Sequence, residues 1–293
     1  MKICNPTLGM RKDSGSGGEV YERELTADLA RLADFHCHYV AKGFGRPPLV
    51  WALMTPVLRR CNGILRIHSL RYLGIPAILS RRPYVAHCHH LERGPWRPLE
   101  KFVLKRAWRV TVDSLATEIQ VVGAGLWDTT KIHWVPGGVR WSARFPSFGK
   151  RVLFLGQKKW RKNPTFLAQL KMVDCFGPGW PSGPIPEYEK FNLYRGAALF
   201  VFPSLLEGFG LPILEAMAAG VPVIVSLTPA LGELVQDGVQ GRVLPLDLGL
   251  WAETIRGLLA DPALRWKMGD AGIDRAKTFT WDRAARAWLK AVA

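Results

Sequence analysis

Short apolar runs alternate with segments whose apolar residues recur every three or four positions, and the alternation runs the length of the chain. A strand is predicted at 2–5. The next segment, 20–32, carries Leu25, Leu29 and Leu32 at helical spacing. A strand at 36–40 and a short helix at 49–60, limited by Pro56, come next, then strands near 64–68 and 84–89. A helix is expected at 98–109, with strands at 110–113 and 132–135. A linker containing Pro, Gly and Ser ends near Lys150, after which the pattern restarts with a strand at 151–156. A helix at 163–170, a strand at 171–176 and a turn-rich stretch at 177–186 precede a helix at 187–197 and an apolar strand at 197–204. A helical run at 214–220, strands at 221–226 and 241–244, and closing helices complete the chain. The last helix, 280–290, sets Trp281, Ala285 and Trp288 on one side. Strands alternating with helices imply parallel sheets wrapped by helices, an α/β class. The 293 residues suffice for two domains of ordinary size.

A hydrophobic content of 48% supports real cores and excludes a disordered chain. The net charge of +16 is unevenly spread: residues 1–147 hold 22 Lys and Arg against 11 Asp and Glu, and residues 148–293 hold 18 against 13. Between Arg59 and Arg109 there are 12 basic residues and two acidic ones, Glu92 and Glu100. Such a field suits an anionic partner: a phosphate-rich ligand, an acidic membrane surface or nucleic acid. Specific nucleic-acid binding is not expected, because no RNA-binding signature or zinc finger occurs. The five cysteines are scattered, mostly in apolar runs, and read as reduced core residues of a cytoplasmic protein. No secretory leader and no apolar stretch of spanning length is recognised.

The most informative segment is E-G-F-G-L-P-I-L-E, bracketed by Glu207 and Glu215. It joins a predicted strand to a predicted helix, with Glu215 expected on that helix's first turn. Loops at the carboxyl ends of parallel strands, feeding helix N-termini, are where α/β proteins hold phosphorylated ligands. Gly208 and Gly210 lack a Cβ and let backbone approach a ligand. Two carboxylates at this spacing can hold two sets of hydroxyls while the backbone of Gly208, Phe209, Gly210 and Leu211 faces a phosphate, the layout of a nucleotide sugar; a tight turn with two solvated glutamates is the plainer alternative. Lys162 lies in a basic loop with Lys158, Lys159 and Arg161, where cations could stabilise charge on a diphosphate. Gly17 and Gly18 open a helix after the first strand, a weak phosphate-loop signal. His89 lies at a strand's carboxyl end, and His68 ends a neighbouring strand. His87 with His89, and His36 with His38, sit at alternate strand positions that could ligate zinc, but no C-x-x-C, H-E-x-x-H or D-x-D accompanies them, so no metal is expected. The helix 98–109 carries Lys101, Lys105 and Arg109 in a row and could lie on an anionic bilayer or simply pack.

The glutamate pair, the run G-V-P-V-I-V-S (220–226) and the box P-A-L-G-E-L-V-Q-D-G (229–238) resemble the donor half of glycosyltransferase family 4. The resemblance is strong after Lys150 and looser before it. It implies the GT-B fold: two Rossmann-like domains with parallel sheets facing a central cleft, residues 1–147 for the acceptor, 148–278 for the nucleotide sugar, and a final helix, 279–293, crossing back. Both domains look somewhat shortened, between 40 and 50 and between 177 and 187. The resemblance further implies a retaining hexosyltransferase using a UDP-, GDP- or ADP-sugar, without metal or other cofactor, on a glycan or lipid-linked acceptor in cell-envelope or polysaccharide synthesis, peripheral at the inner membrane face. Glu207 would hold sugar hydroxyls, Lys162 the diphosphate, Glu215 the ribose, and His89 the sugar at the reacting centre, with Gly17 and Gly18 beside the donor. One position departs from the pattern: Gln157 stands where the family usually has an arginine. A nucleotide-sugar-binding subunit without turnover is therefore the alternative.

Overall fold

Apolar runs too continuous for an exposed face become strands buried on both sides, as in parallel sheets covered by helices. The computed structural model describes residues 2–8, 17–40, 47–91, 94–126, 128–140 and 151–293, and of residues 7–8, 17–18, 35–40 and 47–49 the backbone only. The first sheet contains β1 (Lys2–Leu8), β2 (Asp34–Val40), β3 (Ile64–Ile67), β4 (Tyr84–Cys88), β5 (Arg109–Val112) and β6 (Ile132–Trp134). All neighbours are parallel, in the order β2-β1-β3-β4-β5-β6, and β1 pairs with β2 from Lys2↔Asp34 to Leu8↔Val40. The crossovers are α1 (Gly17–Leu32), α2 (Pro47–Arg60), α3 (Leu70–Ser80), α4 (Arg97–Arg106) and α5 (Leu115–Gly123). The core between sheet and helices holds Met54, Leu58, Leu65, Leu73, Val103 and Val110, together with the free cysteines Cys4, Cys61 and Cys88.

The second sheet restarts at β7 (Arg151–Leu155) and adds β8 (Val173–Phe176), β9 (Ala197–Phe202), β10 (Val223–Ser226) and β11 (Gly241–Leu244). It too is parallel, in the order β11-β10-β9-β7-β8. Helices α6 (Pro164–Gln169), α7 (Glu187–Arg195), α8 (Leu211–Ala218), α9 (Pro229–Leu234), α10 (Leu248–Ala260) and α11 (Pro262–Lys277) connect and close it. Two compact units result, one of residues 1–11, 18–136 and 281–293, the other mainly of 137–280. Residues 137–139 belong with the second unit because Val139 N–H donates to Phe279 O at 3.0 Å. The last helix, α12 (Trp281–Val292), belongs with the first; its Trp281, Ala284, Ala285 and Trp288 are buried, and the Trp281 ring meets Tyr21 edge-on at 5.4 Å.

In each sheet the strand order reverses once. Successive crossovers leave β1 and β3 in opposite directions in the first sheet, and β7 and β9 in opposite directions in the second. Ligands of open α/β sheets bind beyond the carboxyl ends of strands at such reversals.

Several expectations shift. The helix expected at 49–60 ends at Arg60 as expected but starts at Pro47, and Pro56 does not limit it: the Thr55 hydroxyl donates to the Trp51 carbonyl one turn back, and Met54 and Leu58 hold the helix in the core. The helix expected at 98–109 ends at Arg106, because Trp108 N–H bonds Tyr84 O and Arg109 pairs with Val85 as the first residue of β5. Lys101, Lys105 and Arg109 therefore do not form one helical row.

Candidate functional site

In the second unit, β9 is buried along its whole length and ends in the loop 203–210. Gly210 terminates the loop at φ +104°, and a Cβ there would press on Ile213, Leu231 and Leu234 at 3.2–3.3 Å. Only glycine suits this backbone, so the glycine is required by geometry before any ligand is considered. Phe209 and Leu211 are buried; the Phe209 ring packs against Phe279 at 5.7 Å. Glu207 faces inward and is 6% exposed. Lys162 comes from the neighbouring strand of the reversal, at the end of a 3₁₀ turn, Trp160–Lys162, that follows β7. Its Nζ stands 2.5 Å from Glu207 Oε1 and 4.1 Å from the centre of the Phe202 ring. Arg161 Nη1 reaches Glu207 Oε2 at 3.6 Å, and Leu205 N–H donates to Arg161 O at 2.7 Å, tying the two loops together. Burial pushes the Lys162 ammonium below the usual lysine range, with Arg161 adding to the fall and Glu207 opposing it. The two residues singled out separately in the sequence are thus one buried ion pair at the strand reversal.

Glu215 lies on the second turn of α8, not the first, because the helix, capped by Gly210, begins at Leu211, three residues earlier than expected. Its Oε2 accepts from the Tyr194 hydroxyl at 2.8 Å. Burial, and then the Glu215 charge, hold that hydroxyl well above the ordinary tyrosine value. Asp237, in the second acidic box, accepts from Val243 N–H and Arg242 Nε at 2.8 Å each, which is a turn-bracing role. Lys158 stacks over Trp180 at 5.1 Å.

In the first unit, His89 lies one residue past β4. Its Nδ1 is 3.0 Å from Asp113 Oδ2 and its Nε2 is 3.6 Å from Glu22 Oε1. Asp113 is itself held by the Thr117 hydroxyl at 3.0 Å, beside the α5 cap formed by Ser114. His87 Nδ1 meets Thr111 Oγ1 at 2.9 Å, and the ring stacks on Tyr21 at 4.7 Å. Burial, and then the neighbouring His89 and Arg66, keep His87 well below the ordinary histidine value and hence neutral. Arg66, fully buried in β3, places Nη1 2.6 Å from Glu22 Oε2 and 3.3 Å from Asn5 Oδ1. Gly17 and Gly18 open α1 as expected, and the loop 9–16 before them lies outside the described residues.

Among the described residues, Glu22, His87 and His89 bring one donor atom each within 4.8 Å of one another. The donor set could suit zinc, but Arg66 already neutralises Glu22 and its fixed guanidinium would oppose a divalent cation. The side chains of His36 and His38 lie outside the described residues.

Comparison with known proteins completes the picture. Residues 182–275 match the family model described as Glycosyl transferases group 1. The whole chain superposes on the sucrose-phosphate synthase of Thermosynechococcus elongatus with a TM-score of 0.81 at 19% identity, covering 99% of this chain and 97% of that one. It superposes equally on Anabaena HepE in complex with UDP-glucose, TM-score 0.81 at 17% identity, covering 100% and 99%. The fold is GT-B. Among curated relatives, the D-inositol 3-phosphate glycosyltransferase of Corynebacterium efficiens is 29% identical over 48% of this chain and 42% of its own length. The O-antigen chain mannosyltransferase B of Escherichia coli is 39% identical over 37% and 28%. This chain thus spans less than half the length of these relatives. The family match takes in Glu207, Glu215 and the second acidic box, and stops short of Lys162.

Sequence reasoning singled out Glu207, Glu215, Lys162 and His89, and the GT-B sheets bring Lys162 onto Glu207. It missed Tyr194, Glu22, Arg66, Asp113 and Thr111. A charged residue inside the strand I-L-R-I was the one signal available for Arg66.

Proposed function

We propose that this chain is a retaining glycosyltransferase of the family 4 type. It moves a sugar from a UDP-, GDP- or ADP-sugar to a hydroxyl of a glycan or lipid-linked acceptor, in cell-envelope or polysaccharide synthesis. The carrying observation is the buried Lys162–Glu207 pair at the strand reversal of the second sheet, beneath a glycine-containing loop. A lysine with few solvent partners gains most from a diphosphate, and its attraction strengthens as leaving-group charge grows. Glu207, released from the lysine, accepts from sugar hydroxyls; the Gly208–Leu211 backbone faces sugar and phosphate; Glu215, oriented by Tyr194, takes the ribose. His89 keeps the supporting role at the sugar that the resemblance gives it, and Gly17 and Gly18 lie beside the donor. The reaction draws on no metal. The match to group 1 glycosyl transferases and the likeness to a UDP-glucose-bound structure support this reading.

Calorimetric titration with a panel of nucleotide sugars tests it. One donor should bind with 1:1 stoichiometry, and Glu215→Ala should weaken it by about 1–3 kcal/mol, the scale of a hydrogen bond to a charged group. No binding of any nucleotide sugar would refute the proposal. Gln157, in place of the usual arginine, favours a second reading, a binding subunit without turnover. Donor binding with no transfer or donor hydrolysis would select it.

A further inference from the structure

The strand reversal of the first sheet carries its own polar cluster. Glu22 lies on α1, which follows β1; His68 directly follows β3; His89 directly follows β4. All three therefore stand at carboxyl ends of strands, two of them flanking the reversal where open α/β sheets hold ligands. Glu22 Oε1, His68 Nδ1 and His89 Nε2 are buried and make no hydrogen bond within the described residues, while Glu22 Oε2 is taken by Arg66 at 2.6 Å. They face one another: His68 Nδ1 is 3.5 Å from Glu22 Oε2, and His89 Nε2 is 3.6 Å from Glu22 Oε1. These separations exceed a hydrogen bond. Native structures satisfy nearly all buried polar atoms, through ordered water or a ligand where the chain does not reach, so these atoms gathered at one place mark where such a group would sit. The imidazoles keep 14% and 21% of their side-chain surface exposed, which gives that partner a way in. It must donate to a carboxylate and accept from an imidazole, as a hydroxyl does. Arg66 already compensates the Glu22 charge, which favours a neutral group over a cation.

We propose that Glu22, His68 and His89 form a recognition site for sugar hydroxyls, Glu22 accepting and the imidazoles donating. The proposal rests on the transferase reading above and extends it from His89, already placed at the sugar there, to Glu22 and His68. The hydroxyls belong either to the donor sugar or to the acceptor.

Glu22→Gln and His68→Ala are compared with wild type. UDP-glucose, GDP-mannose and ADP-glucose are titrated beside the free nucleoside diphosphates, and acceptor KM is measured over a panel of methyl glycosides. A donor site predicts a loss of about tenfold or more in nucleotide-sugar affinity, the scale of one hydrogen bond to a charged group, with nucleoside diphosphate affinity unchanged. An acceptor site predicts the same factor in KM with donor affinity unchanged. Folded variants that alter neither quantity by more than about twofold, well under one such hydrogen bond, overturn the proposal. So does 1:1 zinc binding that Glu22→Gln abolishes with no effect on sugar. If Glu22→Gln fails to fold, the partly exposed His68 carries the test. If wild type binds no nucleotide sugar, the transferase reading fails separately. The shift of the His68 and His89 ring resonances on adding methyl glycosides then decides the subsite, and unshifted resonances overturn it.

Discussion

Lys162 and Glu207 hold each other at 2.5 Å with 7% and 6% of their surface exposed, so neither charge has much water to turn to if the other is removed. Breaking one side of such a pair costs about 3–5 kcal/mol, while replacing both partners costs far less. Lys162→Ala and Glu207→Ala should each lower stability by that order, and the double variant by clearly less than their sum. Chemical denaturation of the four proteins measures the coupling directly. Additive losses would mean that the pair contributes nothing as a pair. Both residues were legible in the sequence because each sits in a loop after an apolar run. Their partnership was not, since 45 positions separate them and only the adjacency of β7 and β9 brings them together. Glu22 and Arg66 were less visible still. A glutamate within a helix and an arginine within a strand look like ordinary solvated positions until the sheet order buries them against each other.

At the scale of elements, the strand runs and the helices with regular apolar spacing were readable, while α3, α5 and the short α9 were not. In α3 the sequence L-R-Y-L-G-I-P-A-I-L-S contains Gly74 and Pro76, which read as breakers. The glycine is there for packing, because a Cβ on Gly74 would come within 2.4 Å of Val103 Cγ2 on α4. In α5 the valine and isoleucine content weakens a helical signal that the Ser114 cap restores through its bond from Thr117 N–H at 3.1 Å. Strands β3 and β4 deliver two histidines that burial holds below their ordinary value of 6.5. A depressed pKa means that the unfolded chain binds the extra proton, so stability from these groups is complete above pH 6.5 and is lost as pH falls below it. Glu22 adds a lower window. Burial alone would raise its carboxyl, but Arg66, His68 and His89 outweigh burial and set it below 4.5, so its contribution fades only beneath that pH. The thermal midpoint should therefore fall as pH drops from 6.5 to 5, and His87→Gln should flatten that slope. An unchanged slope in a folded His87→Gln protein would show that the acid sensitivity arises elsewhere.

At the scale of the molecule, the basic excess gathers on the first unit. Arg59, Arg60, Arg81, Lys105 and Arg106 are exposed there, among exposed Leu79, Phe102 and Trp108. Arg59 reaches Leu79 O at 3.2 Å, Arg82 reaches Arg59 O at 3.4 Å, and Arg106 stacks over Phe102 at 4.7 Å, which links the ends of α2 and α3 and places a cation over the apolar face of α4. No helix among the described residues is long and apolar enough to cross a membrane. Exposed charges act only over a screening length of about 8 Å at physiological salt. Binding to vesicles containing anionic lipid should fall steeply with added salt, and Lys105→Glu with Arg106→Glu should weaken it further without changing donor affinity. Wild-type protein that ignores such vesicles at low salt would point to a soluble acceptor. The return of α12 to the first unit has a consequence for how the protein is made. Trp281 and Trp288 fill that unit's core, yet they are translated after the entire second unit. The second unit needs none of residues 281–293, whereas the first lacks its closing helix until they are made, reversing the usual order in which N-terminal domains are complete first. A released chain truncated after residue 280 should therefore show a protease-resistant second unit and a first unit that is still open to cleavage.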